Sequence, residues 1–97
     1  MSIFDNEDII TQKYLKDRGF AVFDNYAILG IKLGRGYLSR NIVYWFKNKE
    51  VVLYDGDDER RVGNIFTISD LEFEILACIE YLKNKYKTNA SIYKWYI

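Results

Sequence analysis

Two periodicities divide this chain. From Tyr26 to Leu33, the residues Ala27, Leu29, Ile31 and Leu33 alternate with Tyr26, Ile28, Gly30 and Lys32, the period of a half-buried strand. From Leu71 to Tyr86 the spacing is helical. Leu71, Ile75, Cys78, Ile79, Leu82 and Tyr86 fall on one stripe about 100° wide, the width of a helix face that meets a core. Ser69, with Glu72 three residues on, spells a capping box, and Ile68 and Phe73 flank it at the spacing of a hydrophobic staple. This predicts a helix over 69–87. A second helix is predicted over 5–18. Asp5 caps it, Asp8 takes the box position, and Phe4 and Ile9 form the staple. Gly19 ends it as the C′ residue and places Phe20 to touch Leu15 across a Schellman turn.

Between the helices the pattern is strand and turn. Phe20–Phe23 and Tyr26–Leu33 are joined by Asp24-Asn25, a two-residue hairpin turn. A strand from Tyr37 to Lys47 turns at Asn48-Lys49 into Glu50–Tyr54. The acidic run Asp55–Glu59 reads as a charged loop, and Arg61–Ile68 as a weaker strand that feeds the Ser69 cap. The fold class expected is α+β: one domain over 1–97, with an antiparallel meander of about five strands between the two helices and a β-prone C-terminal tail.

Register can be tested on the sequence. A two-residue Asn48-Lys49 turn sets Tyr44 opposite Leu53, and a Gly34-Arg35 turn sets Ile31 opposite Leu38 and Ala27 opposite Ile42. Together they collect Ala27, Leu29, Ile31, Leu33, Leu38, Ile42, Tyr44, Phe46, Val51 and Leu53 on one face, with Arg40 as the one charged intruder. The opposite face carries Tyr26, Ile28, Lys32, Tyr37, Ser39, Asn41, Val43, Trp45, Val52 and Tyr54. An antiparallel sheet can leave one face wet, but a wet face does not usually hold Val43, Trp45, Val52 and Tyr54 together. Either the first helix or the tail covers it, or it is a binding surface. The long helix poses the same question. Phe73, Ala77 and Tyr81 form a second apolar stripe away from the first, to be covered by the tail, the first helix or another chain. The tail, Ser91–Ile97, is expected to dock as an edge strand, on that stripe, or on a second subunit.

Composition narrows the function. Aromatics make up 18% of the 97 residues, and side chains of this kind are enriched at binding surfaces. Lys and Arg balance Asp and Glu at 14 each, which argues against nucleic acid as the partner. There is no His, hence no ready general base or imidazole metal ligand. Cys78 is the one cysteine, so no intrachain disulfide forms, in keeping with a reducing compartment, and its place in the helix stripe makes it a packing residue. Neither a signal peptide nor an apolar run of ~20 residues is found, so a cytoplasmic protein that does not span the membrane is expected.

Candidate chemistry is sparse. Gly34-Arg35-Gly36 offers a small anion-binding turn but lacks the spacing of a phosphate loop. Asp55, Asp57 and Glu59 alternate like the start of a calcium loop, but Arg60 and Phe66 stand where Gly and a bidentate Glu belong, so no metal site is expected. No catalytic set and no cofactor motif is found, and no enzyme is expected. The chain reads as a non-enzymatic protein–protein interaction module that also forms a homo-oligomer, a dimer at its simplest. The version favoured is a small inhibitor or modulator of a larger host protein. Richness in Ile, Lys, Asn and Tyr resembles the output of AT-rich genomes, phage and mobile elements among them. The partner-binding residues expected are Tyr37, Val43, Trp45, Val52, Tyr54, Phe73 and Tyr81. The alternative is a small-ligand or nucleotide-sequestering protein that combines aromatic stacking with Arg35 and Arg40.

Overall fold

The computed structural model describes residues 8–35 and 39–93. Its elements in chain order are α1 (Gln12–Arg18), β1 (Ala21–Val22), β2 (Tyr26–Leu33), β3 (Ser39–Trp45), β4 (Glu50–Asp55), β5 (Asp58–Val62), α2 (Ile68–Tyr86) and β6 (Ala90–Tyr93). Strands β1 to β5 form the antiparallel meander in spatial order, and β6 adds antiparallel to β2. β1 and β6 share one edge of β2: β1 takes Ala27 and Ile28, and β6 takes Gly30 to Leu33. The tail is therefore an edge strand as far as Tyr93; residues 94–97 lie outside the described residues.

Both helices lie on the same sheet face. Leu15 of α1 and Leu71, Ile75, Cys78 and Leu82 of α2 share one buried cluster with Ala27, Leu29, Ile31, Leu33, Ile42, Tyr44, Val51 and Leu53. This is the apolar face expected from the alternation, with Leu38 outside the described residues. Two covers suggested for the other face are thereby removed: α1 sits on the core side, and the described part of the tail lies in the plane of the sheet.

Helix starts differ from expectation for a physical reason. α1 begins at Thr11, whose side-chain oxygen accepts from the Tyr14 N–H at 3.0 Å. Asp8 and Ile9, expected to be helical, instead tie this end of the chain to α2. The Asp8 carbonyl accepts from Ile68 N–H at 2.8 Å, and Ile9 bridges Thr67. Asp5 and Phe4 lie outside the described residues. The far end of α1 follows the expected motif: Gly19 has φ 112°, its N–H donates to the Lys16 carbonyl (3.0 Å), and Phe20 N–H donates to that of Leu15 (2.9 Å). These are the two bonds of a Schellman turn, and the Leu15 and Phe20 side chains join the core.

The capping box of α2 is Thr67 with Asp70, not Ser69 with Glu72. Asp70 N–H donates to Thr67 Oγ1 (3.1 Å), and the Asp70 carboxylate accepts from Thr67 N–H (3.2 Å) and Phe66 N–H (3.1 Å). Glu72 is engaged elsewhere: Arg18 Nε donates to it at 2.7 Å and the Tyr14 hydroxyl also bonds it, fastening α1 to α2. Thr67→Ala is expected to cost about 1 kcal/mol, and Ser69→Ala less than about 0.5, read from urea midpoints at unchanged slope. Equal losses would favour the Ser69 cap.

The β3–β4 turn is wider than the two residues expected: Trp45 faces Glu50, leaving Phe46–Lys49 as the turn. Groups outside the hairpin bond its ends: Phe46 N–H donates to the Asn25 carbonyl (3.1 Å) and Ile65 N–H to that of Lys49 (2.9 Å). The β2–β3 register is also two residues from expectation, with Ile31 facing Arg40 instead of Leu38; residues 36–38 of that turn lie outside the described residues. Each register moves by an even number of residues, so every side chain keeps its expected face. The acidic run is also corrected. Asp55 faces Asp58 across a two-residue Gly56-Asp57 turn, and β5 starts at Asp58 rather than at Arg61.

Candidate partner-binding surface

Strand alternation sends a second set of side chains to the opposite face, on which no helix lies among the described residues. Three adjacent rows cross it: Tyr26, Trp45 and Glu50; then Ala21, Ile28, Val43, Val52 and Arg61; then Tyr93, Gly30, Asn41, Tyr54 and Glu59. Val43 and Val52 are buried at the centre, and Tyr26, Trp45 and Tyr54 are half-buried around them. Phe23 stacks on Tyr26 with ring centroids 5.1 Å apart, and Tyr26 meets Trp45 at 5.0 Å, so the rings form one continuous strip. Next to it lies a groove of about 230 Å³ lined by Trp45, Asn48, Glu50, Tyr54 and Arg61. Arg61 spans the groove edge, donating to Glu50 (3.0 Å) and to Glu59 (2.8 Å). Within the three rows Arg61 is the one cation against Glu50 and Glu59, with Lys32 beyond them, so the face has no cationic excess to attract a phosphate backbone.

The residues singled out from the sequence separate into distinct places. Val43, Trp45, Val52 and Tyr54 stand together on the helix-free face. Tyr37 lies outside the described residues. Phe73 and Tyr81 lie in the helix layer, on α2. The described part of the tail does not cover their stripe: β6 pairs with β2, and Phe73 is 73% exposed. Arg35 is exposed in the turn after β2. Arg40 points to the helix side, away from the aromatic strip, and is committed to a buried carboxylate.

That carboxylate belongs to Asp55, whose side chain is 2% exposed. Arg40 Nε bonds Asp55 Oδ1. The Tyr86 hydroxyl donates to the same oxygen (2.5 Å) and accepts from Arg40 Nη2 (3.1 Å), and Lys85 Nζ donates to Asp55 Oδ2 (2.5 Å) and to Asp58 (3.2 Å). Burial alone would raise the Asp55 pKa, but the bonds from Lys85, Tyr86 and Arg40 outweigh it and hold it at about 2. Both Asp55 oxygens are taken by Arg40, Tyr86 and Lys85, so the cluster clamps the last turns of α2 onto β3 and β4. A second buried carboxylate, Glu74, accepts from Arg60 at 2.6 Å, and the same guanidinium reaches Cys78 Sγ at 3.7 Å. Burial pushes the Cys78 thiol up to about 11, so it stays protonated and unreactive at neutral pH.

Arg61, Glu50 and Asn48 were not singled out from the sequence: Arg61 because β5 was placed three residues late, Glu50 and Asn48 because the β3–β4 turn was drawn as Asn48-Lys49 alone. Gly56-Asp57 is a two-residue hairpin signal, and a turn there sets Arg61 opposite Val52. Asp55 was missed for the same reason, although it continues the apolar parity of Val51 and Leu53. Among the described residues no group of three or more His, Cys, Asp or Glu is placed to hold a metal, and no helix is long and apolar enough to cross a membrane. Compared with known protein families, curated proteins and solved structures, the chain matches none.

Proposed function

We propose that this protein is a non-enzymatic, cytoplasmic protein-binding module, a small inhibitor or modulator of a larger host protein of the kind phages and mobile elements encode. The partner binds across the helix-free sheet face. The observation that carries this reading is the unbroken strip Phe23–Tyr26–Trp45 beside Tyr54 and Arg61, on a face without a helix among the described residues. Trp, Tyr and Arg are the residues that dominate binding energy in protein interfaces. Here they stand over an aliphatic centre, Val43 and Val52, that is already buried and seats the rings, so the surface offered to a partner is the rings themselves, with the charged residues Glu50, Glu59 and Arg61 beside them. A rigid sheet also holds these rings in place before binding, which limits the ordering cost. A homo-oligomer, the other partner expectation, belongs to the same proposal.

The test is affinity capture from the native host with the wild type and two surface variants. Trp45→Ala or Tyr54→Ala is expected to weaken binding by about 2 kcal/mol, roughly 30-fold, with the fold intact by circular dichroism. Undiminished capture by both folded variants overturns the assignment of this face. A second reading draws on the same groove: Trp45 and Tyr54 offer stacking surfaces, and Asn48 and Arg61 hydrogen-bonding groups, for a nucleobase. A thermal-shift panel separates the two. A nucleotide at 100 times its Kd stabilises by about 2.7 kcal/mol, and a flat panel removes this reading.

A further inference from the structure

We infer that the cavity beside the start of α1 binds a small aromatic monocarboxylate, with the ring inside the cavity and the carboxylate on Lys49. The cavity measures about 210 Å³ and shares no lining residue with the groove at Trp45 and Tyr54. Its floor is Leu15, Tyr44 and Phe46, the first two almost fully buried. The Tyr44 and Phe46 rings meet edge to face, with centroids 5.8 Å apart. Ile9 and Phe66 form the lips and are 52% and 59% exposed.

Hydrogen bonds fix these walls before a ligand arrives. Ile9 bridges Thr67, and Phe66 N–H donates to the Asp70 carboxylate at 3.1 Å. The Tyr44 hydroxyl donates to the Ile65 carbonyl (2.8 Å), and Ile65 N–H donates to that of Lys49 (2.9 Å), which ties the floor to the turn that carries Lys49. A preformed apolar cavity with a few polar groups at its mouth is the usual form of a small-molecule site, and its rigidity limits the ordering cost.

Size and charge select the ligand. A dry apolar cavity of about 150 Å³ takes up benzene, so this one has room for a ring with a short chain. The polar lining is Thr11, Gln12 and Lys49, with no Asp or Glu among them. Thr11 is spent on capping α1. Among the described residues, the side chains of Gln12 and Lys49 have no hydrogen bond or ion pair within the chain. One unengaged ammonium and one carboxamide beside three aromatic rings complement an aromatic acid. The ring packs against Tyr44, Phe46 and Phe66, Lys49 makes a charge-assisted bond to the carboxylate, and Gln12 offers an N–H. A cationic ligand would meet Lys49 as a like charge. With one ring and one ion pair, the dissociation constant expected is on the order of 0.1–1 mM.

An NMR titration of the ¹⁵N-labelled full chain with phenylpropionate tests the site, with phenylpropanamide and phenylpropylamine as ligands of the same shape and different charge. The acid should give saturable shifts centred on the amides of Leu15, Phe46, Lys49 and Phe66. It should bind about 5-fold tighter than the amide and the amine. Lys49→Met should abolish that preference by weakening the acid alone, and Phe66→Ala should weaken acid and amide alike. Both residues are exposed, and the dispersion of each variant's spectrum checks the fold. Phe4→Ala tests the chain's own N-terminal segment as a competing occupant, and should leave the affinity for the acid unchanged. No saturable shift at about 10 mM acid overturns the proposal. So does an acid that binds no tighter than its amide, a preference that survives Lys49→Met, or tighter binding by the Phe4→Ala variant.

Discussion

Asp55→Asn is expected to destabilise the fold by about 3 kcal/mol, which for a domain of this size is a fall in Tm of roughly 10–25 °C. The carboxylate is almost fully buried and is the shared acceptor for Arg40, Lys85 and Tyr86. Removing its charge leaves two cations facing one another, with Asp58 as the remaining anion for Lys85. The penalty falls at the low end of the range for a broken buried pair because Lys85 keeps some contact with water. Asp58→Asn, at a well-exposed position in the same cluster, should cost less than about 0.5 kcal/mol. The pH dependence has a definite sign. Asp55 is held at about 2, below the ~3.9 of an unfolded aspartate, so the unfolded chain binds more protons in between. Its contribution, about 2 kcal/mol, is complete above roughly pH 5 and is lost as pH falls through 2. Urea titrations at pH 5, 4, 3 and 2 should show the gap between wild type and Asp55→Asn closing. A gap that stays constant would mean that the carboxylate is not held in its charged form by these neighbours.

Phe20→Ala is expected to cost about 4 kcal/mol, near the upper range for truncating a core aromatic. Phe20 is fully buried and directly follows the Schellman turn that ends α1, so its loss opens a void and unseats Leu15 together with that turn. Phe23 gives the contrast. It lies three residues on, on the opposite side of the same short hairpin, and is about half exposed. Phe23→Ala should cost under about 1 kcal/mol while shortening the aromatic strip that the proposed partner uses. Comparable losses at the two positions would place Phe23 in a core that the described packing does not contain.

This contrast between Phe20 and Phe23 also shows what the sequence carries and what it does not. Alternation sorts side chains by parity, and parity survives a register error of two. The core face from Ala27 to Leu53 was therefore legible even though both long hairpins were drawn two residues out of register. The width of the Phe46–Lys49 turn was not legible, because bonds from distant residues meet its ends: Asn25 to Phe46 and Ile65 to Lys49. The start of α2 failed in a similar way. Thr67-x-x-Asp70 and Ser69-x-x-Glu72 both have capping-box form, and the choice between them rests on Arg18 and Tyr14, which draw Glu72 to α1. For the candidate surface, Val43, Trp45, Val52 and Tyr54 followed from parity alone. Arg61 required the placement of β5, and the commitment of Arg40 to Asp55 required knowing that a helix covers that end of the sheet.

The shared outer edge of β2 bears on how the chain is made. β1 covers Ala27 and Ile28 early, but Leu33 waits for Ala90 and Gly30 for Tyr93, separations of 57 and 63 residues. At 5–20 residues per second, translation leaves that stretch without its partner strand for roughly 3–12 s. During this window the nascent chain displays an open strand edge beside Ile31 and Leu33, the kind of edge that recruits another chain. Cells that produce the protein rapidly should therefore lose a fraction of it to aggregates. Slowing synthesis or adding a chaperone should recover that fraction with no change in the stability of the finished fold.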